Sequence, residues 1–153
     1  MNFDLVKYND LEALEEKFKS NPNYAAYMME VIQGEAGIYV PDDGYLTGVR
    51  KLCDKYNVLL FCDEIQTGLG RTGKLLACNW EDVKPDILTL GKSLSGGFLP
   101  ASATITSKAV MDVMGYFFSL ILGQTNTGPP LEATLLLPRY APLPLMFSSM
   151  RVL

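Results

Sequence analysis

The sequence predicts an α/β fold, a mostly parallel sheet flanked by helices. Three observations carry this. Short apolar runs, "AAYMMEVIQ", "VLLFCDE", "DILTLGKS" and "ASATITS", are separated by helical or turn-rich stretches. Apolar strands that alternate with helices, "VLLFCDE" the most apolar of them, suit a parallel sheet covered on both faces. Two of them end in chemistry, at Asp63-Glu64 and at Lys92. In open α/β sheets, ligands sit beyond the carboxyl ends of the strands.

Each element has its own reason. "YNDLEALEEKFKSNPN" reads as a helix, with Leu11, Leu14 and Phe18 on one face. Asn9 is placed to cap it, with Glu12 three residues on completing a capping box. "AAYMMEVIQ" is an apolar run between turns, hence a strand. "PDDGYLTGVRKLCDKYN" opens with turn residues and becomes a helix through Leu46, Val49, Leu52 and Tyr56. "VLLFCDE" is a buried strand. "LLACNWEDVKP" is a short helix or loop stopped by Pro85. "DILTLGKS" and "ASATITS" (Ala101 to Ser107) are strands, and "KAVMDVM" begins a helix.

Composition narrows the chemistry. The 153 residues suffice for one domain with a real core. A net charge of −4 gives no basic footprint, so nucleic acid is not expected as a partner. The longest apolar run, "YFFSLIL", is too short to span a bilayer, so no membrane is expected. Residues 1–20 lack a basic start followed by an apolar core, so no signal peptide is visible. There is no histidine, and Cys53, Cys62 and Cys78 make no C-x-x-C pair. The usual zinc sites and a Ser-His-Asp triad are therefore excluded, and no metal site is read. Free cysteines suit a reducing compartment.

A buried strand that delivers two carboxylates to its tip, Asp63 and Glu64, needs a chemical reason. An Asp there is most often a cap or turn residue, a Lys after a strand is usually solvated, and Gly-Gly is usually a turn. A magnesium-binding strand of a nucleotide hydrolase is a sharper reading, with "LGKS" imitating a phosphate loop. It fails because the first loop glycine would fall on Asp86, and because the loop follows the Asp strand instead of preceding it. A third reading uses more residues. A carboxylate can hold a pyridinium nitrogen protonated while a nearby Lys forms a Schiff base with an aldehyde, which is what pyridoxal phosphate needs. The same Lys, as a free amine, can move a proton between carbon atoms.

These residues also carry a family resemblance. "MMEVIQGEAGIYVPDDGYLTGVRKLC", "LLFCDEIQTGLGRTGKLLA" and "KPDILTLGKSLSGGFLPASA" resemble the class III, fold-type I pyridoxal-phosphate aminotransferases, in order and without gaps from about residue 4 to Met114. "QGEAG" followed by "VPDDGYL" resembles the ornithine branch rather than the acetylornithine or 4-aminobutyrate branches. The resemblance implies transfer of the δ-amino group of ornithine to 2-oxoglutarate, giving glutamate-5-semialdehyde and glutamate. It implies that Asp63 pairs with the pyridine nitrogen, Gln66 bonds the ring's 3-oxygen and Ile65 packs on a ring face. Lys92 would carry the cofactor and shuttle the proton, and Glu35 would be an acidic gate near the substrate amine. Glu30 would support Asp63, and Arg71 would order the active-site loop. One departure is Val31, where the family usually has Pro.

The resemblance further implies a homodimer or higher homo-oligomer. A eukaryotic parent would be in the mitochondrial matrix, with the cytoplasm as the alternative. The phosphate cup, the aromatic stacked on the cofactor and the Arg gripping a substrate carboxylate would precede residue 1, and a small domain would follow. The alternative reading is therefore a catalytically inactive truncated product or a subunit-binding fragment.

Residues 1–114 are read as a partial cofactor-binding large domain and 115–153 as an aberrant tail, expected to be disordered. After Asp112 only Glu132, Arg139 and Arg151 are charged, and five of the nine prolines fall there. A "HGATFGGNP"-like segment is expected near this place, its Thr binding the cofactor phosphate of a neighbouring subunit. One legal codon choice for "TNTGPPLEATLLLPRYA", read from the third base of its first codon, gives K-H-G-A-T-F-G-G-N-P-L-A-T-A-V. A shifted frame after an intron-like insert encoding "GYFFSLILG" accounts for this.

Overall fold

A computed structural model describes residues 2–96, 98–112 and 151–152, with the backbone alone at Asn2, Arg151 and Val152. The chain divides into two compact units, Met1–Ile105 with Phe147–Leu153, and Thr106–Met146. In the second unit the described residues are 106–112, of which 108–112 are helical. The expectations for 115–153 lie outside the described residues, except at Arg151–Val152, which form a strand.

The first unit holds helices α1 (Leu11–Ser20) and α2 (Tyr45–Tyr56) and strands β1 (Asn2–Phe3), β2 (Tyr24–Glu30), β3 (Leu59–Asp63) and β4 (Ile87–Leu90). The sheet also takes in β5 (Ala103–Thr106) and β6 (Arg151–Val152), in the order β1-β6-β2-β3-β4-β5. The pairings of β1 with β6, β6 with β2, β2 with β3 and β3 with β4 are all parallel. Each predicted strand and helix is present, with its ends moved by a few residues. The doubtful "LLACNWEDVKP" contains a 3₁₀ turn over Ala77–Glu81. The strands β1 and β6 have too few residues to give a periodic signal.

The α1 cap falls one residue later than expected. Asp10 is the N-cap, its carboxylate accepting the Ala13 N–H at 2.9 Å. Asn9 instead adopts a left-handed backbone, φ 63°, and its side chain accepts the Asp42 N–H. Both are cap formers; Asn tolerates the left-handed region better, so the junction places Asn in the turn and Asp on the helix.

The core lies on one face of the sheet. Tyr27 and Met29 of β2, Leu60 and Cys62 of β3, and Leu88 and Leu90 of β4 pack with Leu14 and Phe18 of α1 and Leu46, Val49 and Cys53 of α2. Ala26, Met28, Leu59, Phe61 and Ile87 alternate onto the opposite face and lie outside this cluster. Met28 there is 44% exposed. Asp86 locks the helix layer to the sheet. Its carboxylate accepts the Leu60 N–H at 2.8 Å and pairs with Arg50 of α2 at 2.7 Å. Burial opposes the charge on Arg50, but Asp86 and Asp54 outweigh it and raise the guanidinium pKa. All three cysteines are buried and free. Burial pushes the Cys53 and Cys78 thiols up to about 12 and raises Cys62 as well, so they pack as neutral thiols.

Glu15 of α1 ties the two helices together. It receives Lys55 Nζ at 2.6 Å, Lys19 Nζ at 3.0 Å and the Tyr56 hydroxyl at 3.0 Å. These donors, Lys55 foremost, lower its pKa from 4.5 to about 2. A depressed carboxylate stabilises the fold above its unfolded pKa, and that contribution is lost as pH falls through the folded value. Stability should therefore decline between about pH 5 and pH 2. Glu15→Gln should flatten this part of the profile, measured as the urea midpoint across that range; an unchanged slope would remove Glu15 from the account.

Candidate active site

The parallel register builds the site. Glu30, the last residue of β2, pairs with Asp63, the last of β3, and Asp63 pairs with Thr89 of β4. In-register neighbours share a face, so these three polar residues form a row across the carboxyl ends. The row is on the face opposite the core cluster. The Thr89 hydroxyl is buried and has no hydrogen-bond partner within the described residues. The Asp63 carboxylate accepts the Ile65 N–H at 2.9 Å, which curls the chain into the loop after β3.

Glu64 goes the other way. Its carboxylate is fully buried and accepts the Thr67 hydroxyl at 2.6 Å, the Ala77 N–H at 2.9 Å and the Cys78 N–H at 2.8 Å. It thereby closes the loop 64–78 onto the start of the 3₁₀ turn. Sequence reasoning singled out Asp63 and left Glu64 without a role. The period of two along a strand was the available signal, since adjacent carboxylates at a strand end point to opposite sides.

Lys92 stands at the carboxyl end of β4, in the second position after Leu90. Its backbone is left-handed, φ 42°, a conformation that strains any residue with a Cβ. Its ammonium lies 3.7 Å from the Glu35 carboxylate, and both side chains are exposed. The same Glu35 oxygen accepts the Gln66 amide N–H at 2.7 Å. Glu35 thus joins Lys92 and Gln66. Arg71 Nε donates to the Ser93 hydroxyl at 2.6 Å, tying the loop after β3 to the turn that carries Lys92. Ile65 packs against Gly91, where an added Cβ would lie 3.2 Å from Ile65 Cγ2. Glu30 accepts the Gly34 N–H at 3.0 Å.

The structure therefore joins Lys92, Glu35 and Gln66 in one polar chain, sets Asp63 beside Glu30 in register, and reaches Lys92's turn from Arg71. This donor set, an amine, a carboxamide and carboxylates at the open ends of parallel strands, fits a group that carries an aldehyde, a phenolic oxygen and a ring nitrogen. Among the described residues no group of three or more Cys, Asp or Glu is placed to hold a metal ion. Comparison with known proteins gives the family. The family model for class-III aminotransferases matches residues 4–139, and the chain belongs to that family. Class-III aminotransferases use pyridoxal phosphate.

The chain is similar to the mitochondrial ornithine aminotransferase of Drosophila melanogaster, 60% identical over 109 residues, 71% of this chain and 25% of the fly protein. It is similar to the crystal structure of Toxoplasma gondii ornithine aminotransferase, with a TM-score of 0.71 and 56% identity over 72% of this chain and 26% of that one. It is also similar to acetylornithine aminotransferase from Elizabethkingia anophelis, with a TM-score of 0.69 and 55% identity over 71% of this chain and 27% of that one. The chain spans about a quarter of the length of the relatives it matches.

Substitutions at two positions probe this geometry. Glu64→Ala strands two buried N–H groups and a hydroxyl, and should cost about 3 kcal/mol or more in urea unfolding. At Lys92, glycine relieves the left-handed strain that alanine keeps. Lys92→Gly should be more stable than Lys92→Ala by about 1 kcal/mol, despite glycine's larger entropy loss elsewhere in folds. Equal midpoints for the two would contradict a strained Lys92 backbone.

Proposed function

We propose that the whole protein to which these residues belong transfers the δ-amino group of ornithine to 2-oxoglutarate, with pyridoxal phosphate as cofactor. The products are glutamate-5-semialdehyde and glutamate. One observation carries the reading: Glu35 joins the Lys92 amine and the Gln66 carboxamide, which follow the carboxyl ends of the parallel strands β4 and β3, and Asp63 is the last residue of β3. Identity of 60% with an ornithine aminotransferase supports the substrate.

Pyridoxal phosphate, when bound, supplies an electron-poor ring able to accept the electron pair left on a substrate carbon that loses its proton. The chain's residues do the rest. Asp63 would keep a proton on the ring nitrogen, as a carboxylate beside a pyridinium does. The Gln66 amide would hold the 3-oxygen, and Ile65 would line a ring face. Lys92 Nζ would hold the cofactor by its aldehyde and, as a free amine, would move the proton that a substrate carbon gives up. Glu35, engaged with Lys92 and Gln66 in this structure, would be the acidic gate near the substrate amine. Glu30 steadies the chain after β2 through Gly34, and Arg71 steadies the Lys92 turn through Ser93. The same reading makes the whole protein a homo-oligomer and, on the name of the fly relative, mitochondrial.

A second substrate reading rests on the acetylornithine relative, at 55% identity. Both are tested together. The protein is incubated with pyridoxal phosphate, reduced with borohydride and mapped by mass spectrometry, then assayed with ornithine, acetylornithine and 4-aminobutyrate as donors. Cofactor mass should sit on Lys92, and ornithine should be the preferred donor. Lys92→Ala should lose the capture and lower turnover by roughly 100-fold or more, the scale of a positioned general acid–base group. Capture that persists in Lys92→Ala would remove the proposed site; preference for acetylornithine would replace the substrate.

A further inference from the structure

We propose that Gly34 is a positioning residue for Gln66: the missing side chain at 34 is the space in which the Gln66 carboxamide lies. A Cβ built on Gly34 would fall 2.3 Å from Gln66 Oε1 and 2.9 Å from its Cδ, well inside contact distance. Gln66 is therefore seated on the bare backbone of Gly34, and from that seat its Nε2 reaches Glu35 Oε1 at 2.7 Å.

Backbone freedom does not explain the glycine. Five other glycines, Gly37, Gly44, Gly70, Gly73 and Gly96, hold left-handed backbones, but Gly34 does not. Its hydrogen bonds are ones that alanine would also make: its N–H donates to Glu30, and its carbonyl accepts from Gly37 and Ile38. The atoms an added methyl would strike are the far end of a flexible side chain. That side chain can swing away at small cost to the fold, but it would then leave Glu35 and the neighbourhood of Lys92. Gly34 and Glu35 are adjacent, so one short loop both seats the carboxamide and receives its hydrogen bond. The inference rests on the cofactor reading of Gln66 for its consequence, and on geometry alone for the seat.

The test is a double-mutant cycle of Gly34→Ala and Gln66→Ala on the full chain, because contacting residues couple and independent ones add. Three quantities are read: the Gln66 side-chain amide resonances without cofactor, identified by their loss in Gln66→Ala; the affinity and visible band of pyridoxal phosphate; and the melting midpoint. Gly34→Ala should shift the Gln66 resonances, move the band and weaken pyridoxal phosphate binding about tenfold, the worth of one hydrogen bond to a charged group. The melting midpoint should stay near that of the unmutated chain. In the Gln66→Ala background the added methyl meets no atom closer than ordinary contact, so Gly34→Ala should have no effect on band or affinity. Unshifted resonances would overturn the proposal. So would an equal loss of affinity in both backgrounds, or a loss of folding that Gln66→Ala does not rescue. If the unmutated chain binds no pyridoxal phosphate, the cofactor reading fails, and the resonances still decide whether Gly34 seats Gln66.

Discussion

Three short strands run parallel and in register, and they stop at one level. That pairing fixes Glu30 beside Asp63 and Asp63 beside Thr89, on the face away from the hydrophobic cluster. Everything chemical depends on it. A slip of one residue would exchange the faces, burying Asp63 in the core and turning Cys62 outward. The core opposes such a slip, because Tyr27, Met29, Leu60, Cys62, Leu88 and Leu90 must all stay against α1 and α2. Hydrophobic burial on one face thus holds polar groups in place on the other. Asp86 adds a polar lock to the same register, bonding Leu60's N–H and Arg50 together.

The loops beyond the strands are held by specific polar contacts rather than by packing. Glu64 folds the segment after β3 back on itself, at the expense of burying a carboxylate, and satisfies three donors in return. Arg71 then spans to Ser93, and Glu35 spans to both Gln66 and Lys92. The site is therefore assembled from three separate loops joined by these contacts. Each of the three also carries a non-glycine residue with positive φ, at Ile38, Leu69 and Lys92.

Much of this was legible before any coordinates. The alternation of apolar runs with amphipathic stretches carries the α/β class, and the quoted motifs carry the family. The strand-end rule points to Asp63 and Lys92. The cap of α1 was misplaced by one residue because Asn9 and Asp10 both suit that position by chemistry. The contact with Asp42 that draws Asn9 into the turn comes from far along the chain.

Sequence by itself determined the class of fold, the family, and which side chains could do amine chemistry. These follow from local periodicity and from residue types at fixed spacings, properties of the chain read in order. Tertiary structure decided which of Asp63 and Glu64 goes to the open face and which into the loop's interior. It alone decided that Glu35 meets Lys92 and that Gly34 lies beneath Gln66. Those pairs are separated by tens of residues, and only the packing of parallel strands brings them within a few ångströms.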